Sequence, residues 1–314
     1  MKKCLVCMHD YSEEQERCPA CGYSERQLRL DSEKFTEALE PGSGLMGGRF
    51  IIGRILSYSN FSILYLSWDT LMSRRVVIRE YFPCGICKRE GKSPSIVSAK
   101  GKERIAFMNG RKMFETENSC LNQNQDLPEI VNIYRCFREN ETTYSVSEYL
   151  EGNTLQEKMD TKAAFGREQA DAMFKRICDA VERIHERGIL HLNLSPESIY
   201  IMDDKQIKLI DFGEAKEEAE RQQDGCLELF DARYAAPEIL KGEPYSTAAD
   251  LYSLGAIYYQ MITGKYPPRF NMKKKGKKKI KVQGEKATLI IDTLMEEDVR
   301  KRAATVEQFR KAVG

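Results

Sequence analysis

Apolar positions follow two different patterns along the chain, and the change between them lies near residue 150. Before that point, short apolar runs are separated by polar turn residues, which is typical of β-strands. These runs are Arg49–Ile55, Ile63–Trp68, Val76–Arg79, Ile130–Phe137 and Thr143–Ser147. Between the third and fourth runs, residues 103–121 predict a helix.

After residue 150 the pattern is mostly helical. Apolar residues between Phe174 and Ile184 recur with helical spacing on one face, and Asp250–Ile262 is apolar on most sides, which predicts a buried helix. Two short strands are predicted between these helices, at Ser198–Met202 and Gln206–Ile210. A β-rich lobe followed by an α-rich lobe predicts an α+β fold.

The chain divides into three segments by composition. Residues 1–23 are rich in cysteine, and residues 24–46 are polar, end in a stretch rich in Pro and Gly, and are interpreted as a linker. From residue 47 to residue 314 the apolar pattern is sustained, which predicts one bilobal domain. Its N-lobe would cover about 47–150 and its C-lobe about 151–314.

Charge and targeting signals exclude several classes of protein. Lys and Arg total 49 against 48 Asp and Glu, so the net charge of the 314 residues is +1. This balance argues against a generally basic nucleic-acid-binding protein and against a disordered acidic chain. No apolar signal region follows Lys2 and Lys3, and no apolar stretch is long enough to span a bilayer. We therefore expect a cytoplasmic protein without a transmembrane segment.

Four of the ten cysteines lie in two C-x-x-C motifs within the first 21 residues: Cys4 with Cys7, and Cys18 with Cys21. Two such motifs supply the four thiolates of a tetrahedral Zn²⁺ site, which predicts a zinc ribbon. Because four sulfur ligands leave no open position, the zinc would be structural. The alternative is a set of free thiols on a disordered tail. A third C-x-x-C motif, Cys84 to Cys87, stands alone and is interpreted as coincidence or packing.

A lysine-rich stretch, Lys273–Lys281, carries seven lysines in nine residues. One interpretation is a solvated surface loop. The other is a patch that binds an anionic partner such as acidic lipid, nucleic acid or an acidic protein. Both interpretations remain open at this point.

Several short motifs occur in a fixed order within residues 47–314. They are Val76-Val77-Ile78-Arg79, His191-Leu192-Asn193, Asp211-Phe212-Gly213, Ala236-Pro237-Glu238 and Asp250-Leu251-Tyr252-Ser253-Leu254-Gly255. Together they resemble the protein kinase signature set. Stretches such as Arg79-Glu80-Tyr81-Phe82-Pro83 resemble bacterial serine/threonine kinases, some of which carry an N-terminal zinc ribbon. The resemblance implies a bilobal kinase-like fold and predicts that Glu238 pairs with Arg302 and that Asp250 caps the backbone of the loop after His191.

The resemblance also implies a nucleotide site in the N-lobe, and the residues there depart from the family pattern. Serines Ser57, Ser59 and Ser62 stand where the family has the glycines of its phosphate-binding loop. Arg79 stands at the position of the lysine that holds the phosphates, and its implied helix partner is Glu117, with Glu115 as the alternative.

The implied catalytic loop departs further from the family. Asn193 stands in place of the aspartate base, and a neutral amide cannot accept the substrate proton. Ser198 replaces the asparagine that binds metal, and Leu192 replaces the usual arginine. Asp211, the main Mg²⁺ ligand of the family, is retained. Residues 213–238 contain no serine or threonine for loop phosphorylation.

These substitutions predict a catalytically inactive pseudokinase that acts as a scaffold or regulatory binding module for a protein partner. Its nucleotide site, formed by Asp211, Arg79 and Glu117, would bind ATP and Mg²⁺ weakly or not at all. One alternative is a divergent ATP-dependent serine/threonine kinase, or a nucleotidyl transferase that uses the same residues. Another is an adapter that works through the zinc module and the lysine-rich stretch.

Overall fold

The chain forms two compact units. The computed structural model describes residues 1–91, 93–98, 100–161, 164–212, 231–268, 280 and 282–314. The first unit contains residues 1–123 and 132–149, and the second contains residues 124–131 and 150–314. The lysines of Lys273–Lys281 and residues 213–230 lie outside the described residues. No helix in the described ranges is long and apolar enough to cross a membrane.

The first unit is built on an antiparallel sheet to which six strands contribute within the described residues, in the order β3-β4-β5-β6-β10-β9. Its strands are β1 (Lys2–Lys3), β2 (Asp10–Tyr11), β3 (Gly44–Leu45), β4 (Phe50–Tyr58), β5 (Ser62–Asp69), β6 (Arg74–Tyr81), β7 (Cys87–Arg89), β8 (Ile96–Ser98), β9 (Ile133–Glu139) and β10 (Thr142–Glu148). Its helices are α1 (Glu25–Ser32) and α2 (Lys102–Gln123). The strands predicted from apolar runs in this region are confirmed, with ends that differ by a few residues.

The core of the first unit lies between this sheet and helix α2. Ile52, Tyr65 and Ile78 are fully buried on the sheet. Helix α2 packs its aromatic face against Tyr81, whose ring centroid lies 5.2 Å from that of Phe107. Aromatic pairs at this separation stabilise more than their buried area alone.

Residues 24–46 pack within the first unit. Helix α1 begins with a capping box, in which the side chains of Ser24 and Gln27 each accept a backbone N–H of the other residue. Further along, Leu39 is 3% exposed, and its backbone N–H donates to the Tyr65 hydroxyl at 3.0 Å. The segment interpreted as a linker therefore supplies both a helix and a core side chain.

The second unit is mainly helical. It contains β11 (Gly152–Thr154), α3 (Leu155–Asp160), α4 (Arg167–Glu186), β12 (Ile199–Met202), β13 (Ile207–Leu209), α5 (Pro237–Leu240), α6 (Thr247–Thr263), α7 (Glu285–Leu294) and α8 (Val306–Val313). The predicted buried helix is α6, and the predicted amphipathic helix is α4. Helix α6 ends at Gly264, whose φ of 65° suits a left-handed C-cap. Strands β12 and β13 pair antiparallel, so the segment that precedes β12 and the segment that follows β13 lie side by side.

Candidate functional site

The four N-terminal cysteines form one cluster. The Sγ atoms of Cys4, Cys7, Cys18 and Cys21 all lie within 4.8 Å of one another. Each C-x-x-C turn closes through a backbone hydrogen bond, and the residue that follows each turn is left-handed: Met8 has a φ of 62°, and Gly22 has a φ of 75°. The short strands β1 and β2 pair beside the first turn.

This donor set fits a tetrahedral metal ion. Zinc–sulfur bonds of about 2.3 Å in a tetrahedron separate the sulfur atoms by about 3.8 Å. Two of the sulfur pairs, Cys4 with Cys21 and Cys7 with Cys18, lie 3.6 Å apart. Four converging thiols in so short a segment can hold one ion and leave no coordination position for a substrate.

The serine-rich loop, residues 56–62 from the end of β4 to the start of β5, is hydrogen-bonded to itself. The Ser59 hydroxyl accepts the backbone N–H of Phe61 at 3.3 Å and of Ser62 at 3.1 Å, and the Ser59 N–H donates to the Ser62 carbonyl at 2.9 Å. The loop carbonyls of Asn60 and Phe61 accept backbone N–H groups from the chain after β6. The backbone N–H groups of Ser59, Phe61 and Ser62 therefore already have partners within the protein.

Arg79 on β6 forms the ion pair that the sequence predicts. Its Nη1 lies 2.9 Å from Oε1 of Glu117 on α2, and the two side chains are 18% and 6% exposed. Its Nε donates to the Ser62 hydroxyl at 3.3 Å, and its guanidinium lies 5.1 Å from the Phe114 ring centroid. Glu115, the other candidate partner, instead binds Arg138.

In the second unit, Asn193 contacts Asp211. The Asn193 Nδ2 donates to Oδ2 and to the backbone carbonyl of Asp211, both at 3.2 Å. Its Oδ1 accepts the backbone N–H of Asp231 at 3.2 Å. Asp211 has a φ of 56°, a left-handed conformation that is uncommon outside glycine. Asp231, which the sequence did not indicate, thus joins the site through its backbone.

Ser198 is also committed to local hydrogen bonds. Its side chain is buried; the hydroxyl donates to the Ser195 carbonyl at 3.0 Å and accepts the Ser195 N–H at 2.9 Å. Both Ser198 and Ser195 are therefore used to close the turn between Leu194 and strand β12.

Asp250 at the start of α6 holds the loop that begins at His191 in place, as predicted. Its carboxylate accepts the backbone N–H groups of His191 and Leu192 and the Nε2 of His185, each at 2.8 Å. Burial alone would raise the pKa of Asp250, but the hydrogen bond from His185 and the neighbouring imidazoles and N–H groups outweigh it and lower the pKa. Burial lowers the pKa of His191 to about 4, so its imidazole is neutral at pH 7 and stacks on Phe212 at 4.2 Å.

The substitution Asp250→Asn is expected to lower the free energy of unfolding at pH 7 by about 1–3 kcal/mol, because an amide leaves at least one buried N–H without an acceptor. The pKa of Asp250 is lower in the folded chain than its usual value of 3.8. Its ionisation therefore stabilises the fold above that value, and this contribution is lost as the pH falls through the folded pKa. Urea unfolding at pH 7 and pH 3.5 checks both points. Equal stability of the two proteins at pH 7 would contradict the assigned role.

Comparison with known proteins agrees with a kinase-like mixed α/β fold. A solved structure titled "PpkA-294 apo form" superposes with a TM-score of 0.72 and covers 88% of this chain and 100% of that one, at 22% sequence identity. A family model described as the protein kinase domain matches residues 88–312. The chain therefore belongs to the protein kinase domain family.

Curated relatives include proteins named as kinases. Human ribosomal protein S6 kinase alpha-4 is 34% identical over 244 residues, which cover 74% of this chain and 30% of that protein. The probable serine/threonine-protein kinase PknB of Bifidobacterium longum is 25% identical over 237 residues, which cover 72% of this chain and 31% of that protein. The chain thus spans about a third of the length of these relatives.

Proposed function

We propose that this member of the protein kinase family is a catalytically inactive pseudokinase that serves as a regulatory binding module for a protein partner, and that its four N-terminal cysteines hold a structural Zn²⁺. The observation that carries the proposal is the contact between Asn193 and Asp211. An amide stands at the position of the base and binds the carboxylate of the family's main metal ligand.

The Asn193 side chain supports the proposal because it is neutral and both of its polar atoms are hydrogen-bonded within the protein. A general base in phosphoryl transfer must accept a proton from the substrate hydroxyl, and a carboxamide does not do so near neutral pH. Its Oδ1 already accepts the Asp231 N–H, and its Nδ2 donates to Asp211. Another carboxylate of the catalytic loop does not take its place. Among the described residues 191–199 the one carboxylate side chain is Glu197, and it is exposed.

The contacts of Ser198 argue against Mg²⁺ binding at the second metal position of the family. An oxygen ligand must direct a lone pair at the ion. The Ser198 hydroxyl is buried and turned toward Ser195, with which it exchanges two hydrogen bonds. Asp211 then remains as the metal-binding side chain that the sequence indicates, and the Asn193 amide competes for its carboxylate.

The serine-rich loop supports weak or absent nucleotide binding. In a phosphate-binding loop, backbone N–H groups point at the phosphates. Here the N–H groups of Phe61 and Ser62 donate to the Ser59 hydroxyl instead. Freeing them for a phosphate would require breaking both contacts. The Arg79 guanidinium is also held, between Glu117, Ser62 and the Phe114 ring.

The proposed zinc site rests on the convergence of four sulfur atoms with spacing close to that of a tetrahedron. When bound, Zn²⁺ would contribute folding energy to a segment too short to form its own core. The residues that would hold it are Cys4, Cys7, Cys18 and Cys21.

A divergent kinase or a nucleotidyl transferase is the second candidate function. It is favoured by the Arg79–Glu117 ion pair, which stands at the positions of the lysine–glutamate pair that active kinases need in place for phosphoryl transfer. The relatives named as kinases agree with it, one of them as a probable serine/threonine-protein kinase. The neutral side chain of Asn193 argues against this candidate function.

Incubation of the purified chain with γ-labelled ATP, or in parallel with α-labelled ATP, in the presence of Mg²⁺ or Mn²⁺ and a general protein substrate is expected to transfer neither label. ATP with Mg²⁺ is expected to give the same Tm as Mg²⁺ alone. The matched control is Asp211→Asn, which should behave as the unchanged chain does. Stoichiometric transfer that Asp211→Asn abolishes would overturn the proposal. Mass spectrometry of the product would then distinguish a phosphoryl from an adenylyl group.

A further inference from the structure

The cysteine cluster is joined directly to the main sheet of the first unit. The two residues between Cys4 and Cys7 both contact strand β4. The Leu5 carbonyl accepts the backbone N–H of Arg54 at 2.8 Å, and the Val6 carbonyl accepts the Arg54 Nε at 3.0 Å. The first C-x-x-C turn is thus bonded to the sheet through both of its central peptide groups.

An irregularity in β4 makes this contact possible. The register between β4 and β5 shifts between Ile52 and Ile55, so the intervening residues do not continue the regular ladder with β5. Such a bulge leaves a backbone N–H without its ladder partner. The Arg54 N–H is satisfied by Leu5 instead.

Gly53 allows the backbones to approach closely. A Cβ atom at this position would lie 2.2 Å from the Met8 Cε and 2.4 Å from the Leu5 carbonyl oxygen. Real Cβ atoms do not tolerate such distances, so a side chain here would push the cysteine turn away from the strand. Met8, the residue after Cys7, is itself 4% exposed.

A third contact lies on the neighbouring strand. The Lys3 Nζ lies 3.6 Å from the ring centroid of Trp68 on β5. Trp68 pairs with Ile51 of β4 and is the one tryptophan in the sequence. A cation over this ring is an attractive contact, and it places an intrinsic fluorophore at the junction.

We propose that metal binding by the four cysteines fixes strand β4 and, through it, the serine-rich loop, residues 56–62. This inference rests on the metal site of the proposed function. A metal bound to Cys4 and Cys7 would set the orientation of the Leu5 and Val6 carbonyls. These carbonyls hold Arg54, which lies three residues before the first serine of the loop. The metal site therefore regulates the order of the loop.

The test compares amide hydrogen exchange and Trp68 emission in the full chain as purified, after removal of metal with a chelator, and after addition of ZnCl₂, with metal content measured in each sample. Metal removal is expected to raise exchange in peptides covering residues 50–62 by about tenfold or more. It should also shift Trp68 emission, and ZnCl₂ should reverse both changes. A peptide from helix α6 is the internal reference and should exchange at an unchanged rate.

Two variants separate the metal site from its contact with β4. Gly53→Ala should retain the metal but exchange quickly in residues 50–62, and Lys3→Met should retain the metal and change only the Trp68 emission. A protein that neither contains nor takes up metal would overturn both the zinc site and this inference. A protein that loses and regains metal with unchanged exchange in residues 50–62 would overturn the inference alone.

Discussion

The substitution Arg302→Met is expected to lower the free energy of unfolding by about 3–5 kcal/mol, because it leaves a buried carboxylate without its counter-charge. Arg302 and Glu238 are 0% and 2% exposed. Two hydrogen bonds join them, from Nη1 to Oε1 at 2.6 Å and from Nη2 to Oε2 at 3.1 Å. The same guanidinium also donates to the carbonyls of Ala248 and Glu296. Methionine fills most of the volume of arginine, so the loss would come from these polar contacts.

The matched control lies two residues earlier. Arg300 also forms two hydrogen bonds to a carboxylate, that of Asp298, but its side chain is 85% exposed. Water solvates both partners when such a pair is broken, so Arg300→Met should leave stability almost unchanged. Urea unfolding at pH 7 measures both variants. Similar urea midpoints for Arg302→Met and the unchanged chain would contradict the prediction, since they would show that the buried Arg302–Glu238 pair contributes little to stability.

The substitution Arg89→Met is expected to lower the free energy of unfolding by about 3–5 kcal/mol at pH 7, and by less at pH 5. Its partner, Glu80, is 0% exposed and lies 2.5 Å from Arg89 Nη2. Two buried hydroxyls also donate to Glu80, from Tyr65 at 2.7 Å and from Tyr144 at 2.8 Å. Removing the guanidinium leaves these two neutral donors as the remaining partners that satisfy the carboxylate.

The pH dependence follows from the pKa of Glu80. Burial raises this pKa above its usual value of 4.5, although Arg89 and the two tyrosines act in the opposite direction. Without Arg89 the pKa should rise further. A carboxyl group with a raised folded pKa contributes most stability below the unfolded value, and that contribution is lost as the pH rises toward the folded pKa. The variant should therefore lose stability from pH 5 to pH 7 relative to the unchanged chain.

Lys88→Met serves as the control for Arg89→Met, because Lys88 pairs with Glu90 on the surface and both side chains are about 60% exposed. It should follow the stability of the unchanged chain at every pH. If the free energy of unfolding of Arg89→Met changed with pH in parallel with that of the unchanged chain, the raised pKa of Glu80 would be contradicted.

Much of the fold could be predicted from the sequence, since apolar periodicity records which face of each element is buried. The predicted strand Ile63–Trp68 is extended by one residue at each end in β5, and the predicted helix 103–121 lies within α2. Two distant ion pairs, Arg79 with Glu117 and Arg302 with Glu238, were also predicted, because the family resemblance fixes which motif positions meet.

The remaining contacts depend on tertiary structure that periodicity does not encode. The buried group around Glu80 joins residues from four strands, β5, β6, β7 and β10, and from the segment before the sheet, and no local pattern pairs them. The hydrogen bonds of Ser59 and of Asn193 depend on side-chain rotamers, which residue types alone do not specify. Helix α1 did have a sequence signal, the spacing of Ser24 and Gln27, within a segment interpreted as a linker.

The contacts of that segment bear on how the kinase-like region can be isolated for study. Leu39 donates its N–H to Tyr65, and the Glu37 carbonyl accepts a hydrogen bond from Arg89. A recombinant fragment that starts at residue 47 would remove both partners and uncover the apolar surface beneath Leu39. Domain boundaries drawn from composition would thus yield an aggregation-prone protein, whereas a boundary before residue 24 would keep these core contacts.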